Sequence, residues 1–205
     1  MNTCPVVVGI DVGGPRKGFH AVALRGGVYL EKFAALDAQS IVLWCYQLNA
    51  KVVGIDAPCR WSTIGKSRGA ERELAAEGIS CFSTPTRQSA ENRDFYRWML
   101  NGAALYEHLE RDYQLFDGRN AALGQTCFET FPQAVACALA GRIVSAKQKR
   151  VVRRELLREA RIETMPLANI DMVDAALCAL TASHLLTGSI RTYGDVTEGF
   201  IVVPR

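Results

Sequence analysis

Five acidic residues stand where an active site at the edge of a sheet could use them. Asp11 and Asp56 each end a short apolar run, VVVGID and KVVGID, and Glu129 lies inside a third run, TCFETF. Asp171 and Asp174 are spaced i, i+3, so on a helix both carboxylates face the same way. An acid at the end of a buried strand is costly unless it is paired or binds a cation. The pattern therefore indicates a cation site.

The donor atoms indicate which cation this would be. If the strands that end in Asp11 and Asp56 are neighbours, the two carboxylates converge at one end of the sheet, and their mutual repulsion calls for a divalent metal. No cysteine or histidine cluster accompanies them. Hard oxygen ligands favour Mg²⁺ or Mn²⁺.

Each acid also has a purely structural explanation. Asp11 could cap the turn at Gly13-Gly14, and Asp56 could start an Asx turn before the following proline. Asp171 could be the N-cap of its helix with Asp174 at N3, where an acid suits the helix dipole. Three strand-borne acids and a helical pair are together more than turn chemistry needs, so we favour a site.

The elements that must position these acids follow from apolar periodicity and turn residues. Strands are predicted over 6–11, 19–24, 28–33, 51–56, 126–131 and 200–203, and helices over 37–49, 67–76, 92–111, 133–140, 146–160 and 171–186. Glycine turns predict an antiparallel meander for the first three strands, and the uniformly apolar fourth predicts a central parallel strand. We therefore expect one α/β domain over 1–205, with a mixed sheet, helices on its faces and an Arg-rich insertion at about 57–112.

Positive charge is concentrated in one segment. The 205 residues carry 24 Lys and Arg against 21 Asp and Glu, a net charge of +3. Between 142 and 161, eight basic residues face two acidic ones, and 8 − 2 gives +6. On a helix, one basic stripe would contain Lys147, Arg150, Arg154, Arg158 and Arg161, with Val151 among the residues of the buried side. Such a stripe would contact phosphates without reading sequence, although charged faces are commonly only solvated.

The Arg-rich insertion offers a second contact surface. It contains Arg60, Arg68, Arg72, Arg87, Arg93 and Arg97, of which we assign Arg68 and Arg72 to nucleic-acid binding together with Lys147, Arg150, Arg154 and Arg158. Trp61 and Phe82 either stack on unpaired bases or anchor the long loop to the domain.

The composition, with 49% hydrophobic and 22% charged residues, is that of an ordinary globular protein. Seven cysteines are scattered singly, which argues against a disulfide framework or a structural zinc site. Cys59 and Cys81 lie in predicted loops, so these two are the ones to test for reactivity. No apolar run approaches the roughly eighteen residues of a membrane helix, and Met1–Pro5 lacks the features of a signal peptide. We expect a cytoplasmic protein.

Five segments resemble a known family: GIDVGGPRKGFHAVAL, VVGIDAP, FETFPQA, DMVDAALCALTA and EGFIVVP. Their order and spacing over Val6–Pro204 are similar to those of the domain-of-unknown-function 429 family, predicted nucleases of the ribonuclease-H-like superfamily. The segment DMVDAALCAL also resembles the corresponding helix of Holliday-junction resolvases.

The resemblance implies a ribonuclease-H-like sheet and two-metal phosphodiester hydrolysis. Asp11, Asp56 and Asp174 would be the catalytic metal ligands for Mg²⁺ or Mn²⁺, with Asp11 bridging the two ions and Glu129 or Asp171 as the accessory ligand. The implied partner is nucleic acid of unknown type. Junction-cleaving members act as dimers, so a homodimer is among the expectations, and no membrane partner is.

Other functions stay open. The sequence Asp11-Val12-Gly13-Gly14 resembles the first phosphate loop of sugar kinases and actin-like ATPases, although the chain is short for their two lobes. A non-catalytic module could use the same fold and basic surfaces to bind RNA, DNA or protein. His20, His108 and His184 have no nucleophile-elbow or Cys-His context, so we expect surface or helix residues and disfavour a protease or esterase.

Overall fold

The structure is a computed structural model that describes residues 4–119 and 124–205. It is built around one mixed β-sheet. Its strands are β1 (Val6–Val12), β2 (Phe19–Arg25), β3 (Val28–Ala35), β4 (Val52–Asp56), β5 (Gln114–Leu115), β6 (Thr126–Thr130), β7 (Ile190–Asp195) and β8 (Gly199–Pro204). The order across the sheet is β3-β2-β1-β4-β6-β8-β7, with β5 beside the start of β6. Strands β1, β4, β6 and β8 are parallel, and the meander β1-β2-β3 and the hairpin β7-β8 are antiparallel.

Helices cover both faces of this sheet. They are α1 (Ala38–Gln47), α2 (Gly69–Ala76), α3 (Arg87–Glu91), α4 (Arg97–Leu109), α5 (Pro132–Ala140), α6 (Lys149–Glu159) and α7 (Ile170–Thr187). Helices α1 and α4 share one apolar core with β1 and β4, and α5, α6 and α7 form the core on the opposite face. The predicted α/β mixed sheet, with an antiparallel meander, parallel strands and helices on both faces, is confirmed.

Two glycines let α7 lie directly against the central strands. A Cβ atom on Gly9 of β1 would be 2.0 Å from the carbonyl oxygen of Ala175, and one on Gly54 of β4 would be 2.7 Å from that of Cys178. These neighbours are helix backbone, which cannot move aside, so glycine is required for the close approach. The glycine of each VVGID motif thus fixes α7 against the two strands that end in Asp11 and Asp56.

The structure adds β5, β7 and α3 to the predicted elements. Strand β7 pairs with β8 on one side and ends the sheet, and its side chains are mostly polar and only partly buried. No apolar run marks such an edge strand in the sequence. The predicted helix over 92–111 is shorter than expected, because a 3₁₀ turn at Asp94–Tyr96 precedes α4.

Residues 57–112, the predicted insertion, connect β4 to β5 and contain α2, α3 and α4. Helix α4 packs on α1 at one face of the sheet, and α2 packs on the edge strand β7. The segment therefore contacts both a face of the sheet, through α4, and its edge, through α2. Met1–Thr3, which belong to the segment Met1–Pro5 considered above for signal-peptide features, lie outside the described residues.

Helix α7 is long and apolar enough to cross a membrane by length and composition, contrary to the expectation from the sequence. In the structure 67% of that window is buried inside the protein. Its contacts with β1, β4 and β2 make it the central helix of one core. Its apolar composition is explained by this burial, since a helix enclosed on most sides is apolar on most sides.

Candidate active site

Asp11 and Asp56 are direct neighbours in the sheet. Strands β1 and β4 are parallel, and their register pairs Asp11 with Asp56. On each strand the alternate residues, such as Val8 and Ile10, face the core under α1 and α4. The two acids therefore face the opposite side, towards α7. The predicted convergence of the two carboxylates at one end of the sheet is confirmed.

The N-terminal turn of α7 brings two more acids to the same place. The N-cap of α7 is Asn169, whose side chain accepts a hydrogen bond of 2.8 Å from the backbone N–H of Met172. The explanation of Asp171 as an N-cap is therefore wrong. Asp171 and Asp174 line one pocket of about 430 Å³ together with Asp11 and Asp56.

The carboxylates of Asp11 and Asp56 have no hydrogen-bond donor among the described residues, whereas turn-capping acids would have one. Burial, followed by the charges of Asp174 and Asp171, raises the pKa of Asp11 to about 7. Burial and the charge of Asp11 also raise the pKa of Asp56 well above its usual range. Close carboxylates without donors are expensive to ionise unless a cation neutralises them. The turn explanations therefore do not account for these two acids.

Three cationic side chains neutralise the acids of α7. Lys17 donates to both oxygens of Asp171, at 2.9 and 3.0 Å. Arg153 from α6 donates to Asp174 and, at 3.0 Å, to the amide oxygen of Gln133. Lys149 lies 4.0 Å from the second oxygen of Asp174. Burial raises the pKa of Asp174, and the guanidinium of Arg153 opposes that shift.

His20 is an unexpected member of the site. It lies on β2 in register with Asp11, so it is neither a helix residue nor a simple surface residue. One ligand atom from each of Asp11, His20 and Asp171 lies within 4.8 Å of the others, which makes the three a candidate metal-binding group. The Nδ1 atom of His20 is buried and has no hydrogen-bond partner within residues 4–119 and 124–205, and burial lowers the pKa of the imidazole. A neutral imidazole is a competent metal ligand.

Glu129 and Arg68 have a different role from the predicted ones. Arg68 is 1% exposed, and its guanidinium binds both oxygens of Glu129, at 2.6 and 2.8 Å. The backbone N–H of Cys59 also donates to Glu129, at 2.8 Å. Glu129, one of the two predicted accessory ligands, is therefore held at both oxygens by a buried guanidinium, whereas the Lys17 amine that pairs with Asp171 is 62% exposed. Arg68 is likewise not part of an exposed contact surface.

The basic stripe on α6 is only partly available. Lys147 and Arg150 are exposed. The guanidinium of Arg154 is bound to the carbonyl oxygens of Thr164 and Leu167, at 3.0 and 2.6 Å. Arg158 donates to the Thr164 hydroxyl at 3.2 Å. In the insertion, Arg72 is exposed but donates to the carbonyl of Ser67 at 2.6 Å.

The buried side of α6 differs from the predicted one. The placement of Val151 on that side is wrong, because Val151 is 61% exposed and Arg153 takes the buried position.

The turn after Asp11 closes on itself. The N–H of Gly13 donates to the carbonyl of Gly18 at 2.8 Å, and those of Lys17 and Gly18 both donate to the carbonyl of Gly14 at 2.9 Å. Phosphate loops instead aim their N–H groups at the ligand. The N–H groups of Gly13, Lys17 and Gly18 are therefore bonded within the turn and do not face a ligand, which weakens the kinase-like alternative.

A family model described as "Protein of unknown function (DUF429)" matches residues 9–198. The chain belongs to the DUF429 family. No curated protein matches this sequence. Among solved structures, it is similar to the RuvC structure of Thermus thermophilus, with 15% identity, coverage of 89% of this chain and 95% of that chain, and a TM-score of 0.43.

In this DUF429 protein the structure brings Asp11, Asp56, Asp171 and Asp174 to one pocket, as the sequence predicted. It also places Lys17, His20, Lys149 and Arg153 beside them, which sequence reasoning missed. The role of Arg153 could have been predicted, because an arginine beside Leu156 and Leu157 on the apolar side of a helix needs a buried partner. Nothing in the sequence marks Lys17.

The two loop cysteines of the DUF429 chain are poor nucleophiles. Burial raises the pKa of the Cys59 thiol well above its usual range, and it raises the pKa of Cys81 to about 11. The thiolate is the reactive species of cysteine. Neither residue therefore competes with the carboxylates as a catalytic group.

Proposed function

We propose that the protein is a metal-dependent nuclease that hydrolyses phosphodiester bonds at the pocket lined by Asp11, Asp56, Asp171 and Asp174. The observation that carries the proposal is the convergence of these four carboxylates, two from matched positions on neighbouring strands and two from the first turns of α7. Membership of the DUF429 family, which is described as of unknown function, leaves the reaction open, so the chemistry of the site must support the proposal.

The residues fit divalent metal ions. Asp11 and Asp56 have no protein donor among the described residues, and the raised pKa of Asp11, about 7, reports a missing counter-charge. We assign Mg²⁺ or Mn²⁺ to Asp11, Asp56 and Asp174, with Asp171 as the accessory ligand. When bound, such a pair of ions activates a water and stabilises the departing oxygen.

The charge of the pocket supports metal dependence. Its lining includes six acids (Asp11, Asp56, Glu71, Glu129, Asp171, Asp174) and four bases (Lys17, Arg68, Lys149, Arg153), and 4 − 6 gives a formal charge of −2. When all six acids are ionised, a pocket with this charge repels a phosphodiester. Divalent cations reverse its sign, so nucleic acid would enter only together with the metal.

The protein's own cations would hold the substrate strand. Lys17 and Lys149 line the pocket beside the acids of α7, and Lys147 and Arg150 are exposed near the start of α6. Amino and guanidinium groups at this position can contact the phosphates on either side of the scissile bond. Arg153 is held by Asp174 and Gln133, so we assign it to positioning Asp174.

The first experiment is cleavage of labelled single-stranded, duplex, hybrid and four-way-junction substrates in Mg²⁺ or Mn²⁺. We expect the wild type to cleave at least one substrate and Asp11→Asn to cleave none. Glu163→Gln, which changes an exposed acid outside the pocket, is the control and should cleave like the wild type. Silence across the panel, with binding that persists in EDTA, would favour the non-catalytic binding module. Sedimentation of the same samples tests the predicted homodimer.

A further inference from the structure

We propose that the carboxylate pocket carries a binding site for an unpaired nucleobase, so that the substrate strand enters it single-stranded. The site is the aromatic wall of the pocket, formed by Phe82, Phe95 and Trp98. This inference rests on the proposed function and adds the substrate class to it.

The aromatic wall is exposed although its rings are large and apolar. Phe82 is 62% exposed and Phe95 is 57% exposed. Their ring centroids are 5.6 Å apart with an interplanar angle of 71°, and the Phe82 and Trp98 centroids are 6.1 Å apart. Exposed clustered aromatics commonly mark an interaction site. Here they share a pocket with Asp11 and Asp56.

Packing and hydrogen bonds connect the aromatic wall to the sheet. Trp98 packs on the core under α1 and α4, and its ring contacts that of Phe82. The loop that carries Phe82 is fixed by a hydrogen bond of 2.8 Å from the N–H of Thr84 to Glu71. Glu71 also binds Arg68, which holds Glu129 on β6. The buried ion pairs therefore connect the aromatic loop to the strand beside β4.

The chemistry of the pocket favours a base as the occupant. Part of the lining consists of carboxylates, and metal ions bound there would hold a phosphate. Another part consists of aromatic rings, on which any base can stack. A nucleotide joins a phosphate to a base within the dimensions of a pocket of about 430 Å³. In a duplex the base faces are covered by their neighbours, so the base must be unpaired or flipped out.

The test measures stacking separately from cleavage. A single-stranded oligodeoxynucleotide containing 2-aminopurine is titrated with the protein in Ca²⁺, and the same sequence in a duplex serves as the comparison. We expect quenching of the single strand and tighter binding of it than of the duplex. Phe82→Ala and Phe95→Ala should each weaken binding of the single strand by about tenfold, the typical worth of one base-aromatic stack.

Two further variants separate stacking from folding and from general apolar contact. Phe82→Leu keeps an apolar side chain without a ring face and should bind like Phe82→Ala, while Phe82→Tyr should restore binding. Leu43→Ala removes an apolar side chain that is 51% exposed on α1, outside the pocket, and should bind like the wild type. Circular dichroism of each variant confirms that it folds.

The outcomes distinguish this proposal from the nuclease. Equal binding of single strand and duplex, unaffected by Phe82→Ala, would overturn the base site while leaving cleavage open. A wild-type dimer that Phe82→Ala converts to a monomer would also overturn it, by making the wall a contact between copies. If stacking depends on Phe82 but no metal supports cleavage, the nuclease proposal would be wrong and the nucleobase-binding site would stand.

Discussion

Asp11 combines a buried position on β1 with two acidic neighbours from α7. Burial and these charges raise its pKa to about 7, from an ordinary value of 3.8. Below about pH 4 the group is protonated in both the folded and the unfolded chain and costs nothing. Between about pH 4 and pH 7 the unfolded chain ionises first, so the free energy of unfolding of the metal-free protein falls as pH rises.

Asp11→Asn should remove this penalty. We expect the metal-free variant to be more stable than the wild type at about pH 8, by a few kcal/mol, and equally stable near pH 4. Thermal unfolding in EDTA across this range measures the difference, with Glu163→Gln as the control. If Asp11→Asn were less stable than the wild type at high pH, the Asp11 carboxylate would be stabilised by a protein donor and would not need a cation.

His20 adds an imidazole to an otherwise oxygen-rich site. Its distance from Asp11 and Asp171 allows it to share a metal ion with them. Mg²⁺ prefers oxygen ligands, whereas Mn²⁺ also accepts imidazole. We expect His20→Ala to weaken Mn²⁺ binding by about tenfold or more and to change Mg²⁺ binding little. Calorimetric titration with each metal checks this, and His184→Ala on α7 is the control. Equal losses for both metals would exclude direct ligation by His20.

At the scale of single residues, position along a strand predicted more than charge did. Asp11 and Asp56 could be found because an acid that ends an apolar strand needs a partner. Arg68 and Glu129 could not be paired in advance, because 61 residues separate them and only the fold brings the insertion back onto β6. Pairing across such a separation depends on tertiary structure, which leaves no local pattern.

Close contact between elements depends on Gly9. A methyl group there would lie about 2 Å from the backbone of α7. We expect Gly9→Ala to force the helix from the sheet and to lower the free energy of unfolding by roughly 3 kcal/mol or more. Gly14→Ala is the matched control, since a Cβ there meets nothing within 4 Å. Urea unfolding of the two variants makes the comparison, and equal stabilities would show that α7 is not pressed against β1.

Elements with an apolar periodicity of their own could be predicted from the sequence, whereas elements that depend on contacts with neighbouring elements could not. The first four strands and α1 form as expected, because each has its own periodicity and turn signals, and the side chain of Asp37, the first residue of the predicted helix, caps α1. Strand β7 exists because β8 offers it an edge. Helix α6 forms where predicted, but its buried side includes Arg153, since Asp174 on α7 compensates the charge.

At the scale of the whole molecule, the net charge of +3 is the sum over surfaces of opposite charge, one negative and one positive. The pocket has a formal charge of −2, while Lys147 and Arg150 stand exposed near the start of α6, the helix whose Lys149 and Arg153 line the pocket. A strand that follows both surfaces would need divalent metal at the first and would release counterions at the second. Composition predicts neither surface, because only the fold sets the distance between the charges.

The double substitution Lys147→Gln and Arg150→Gln tests the second surface. Each phosphate contact on a single strand contributes about 0.7 to the slope of log affinity against log salt, so the slope should become shallower by about 1.4. Anisotropy titrations of a single-stranded oligonucleotide at fixed Ca²⁺ measure it, and Arg25→Gln, an exposed arginine on β2 outside the pocket, should leave it unchanged. An unchanged slope in the double variant would place the strand elsewhere, because bound phosphates must displace counterions wherever they meet these two side chains.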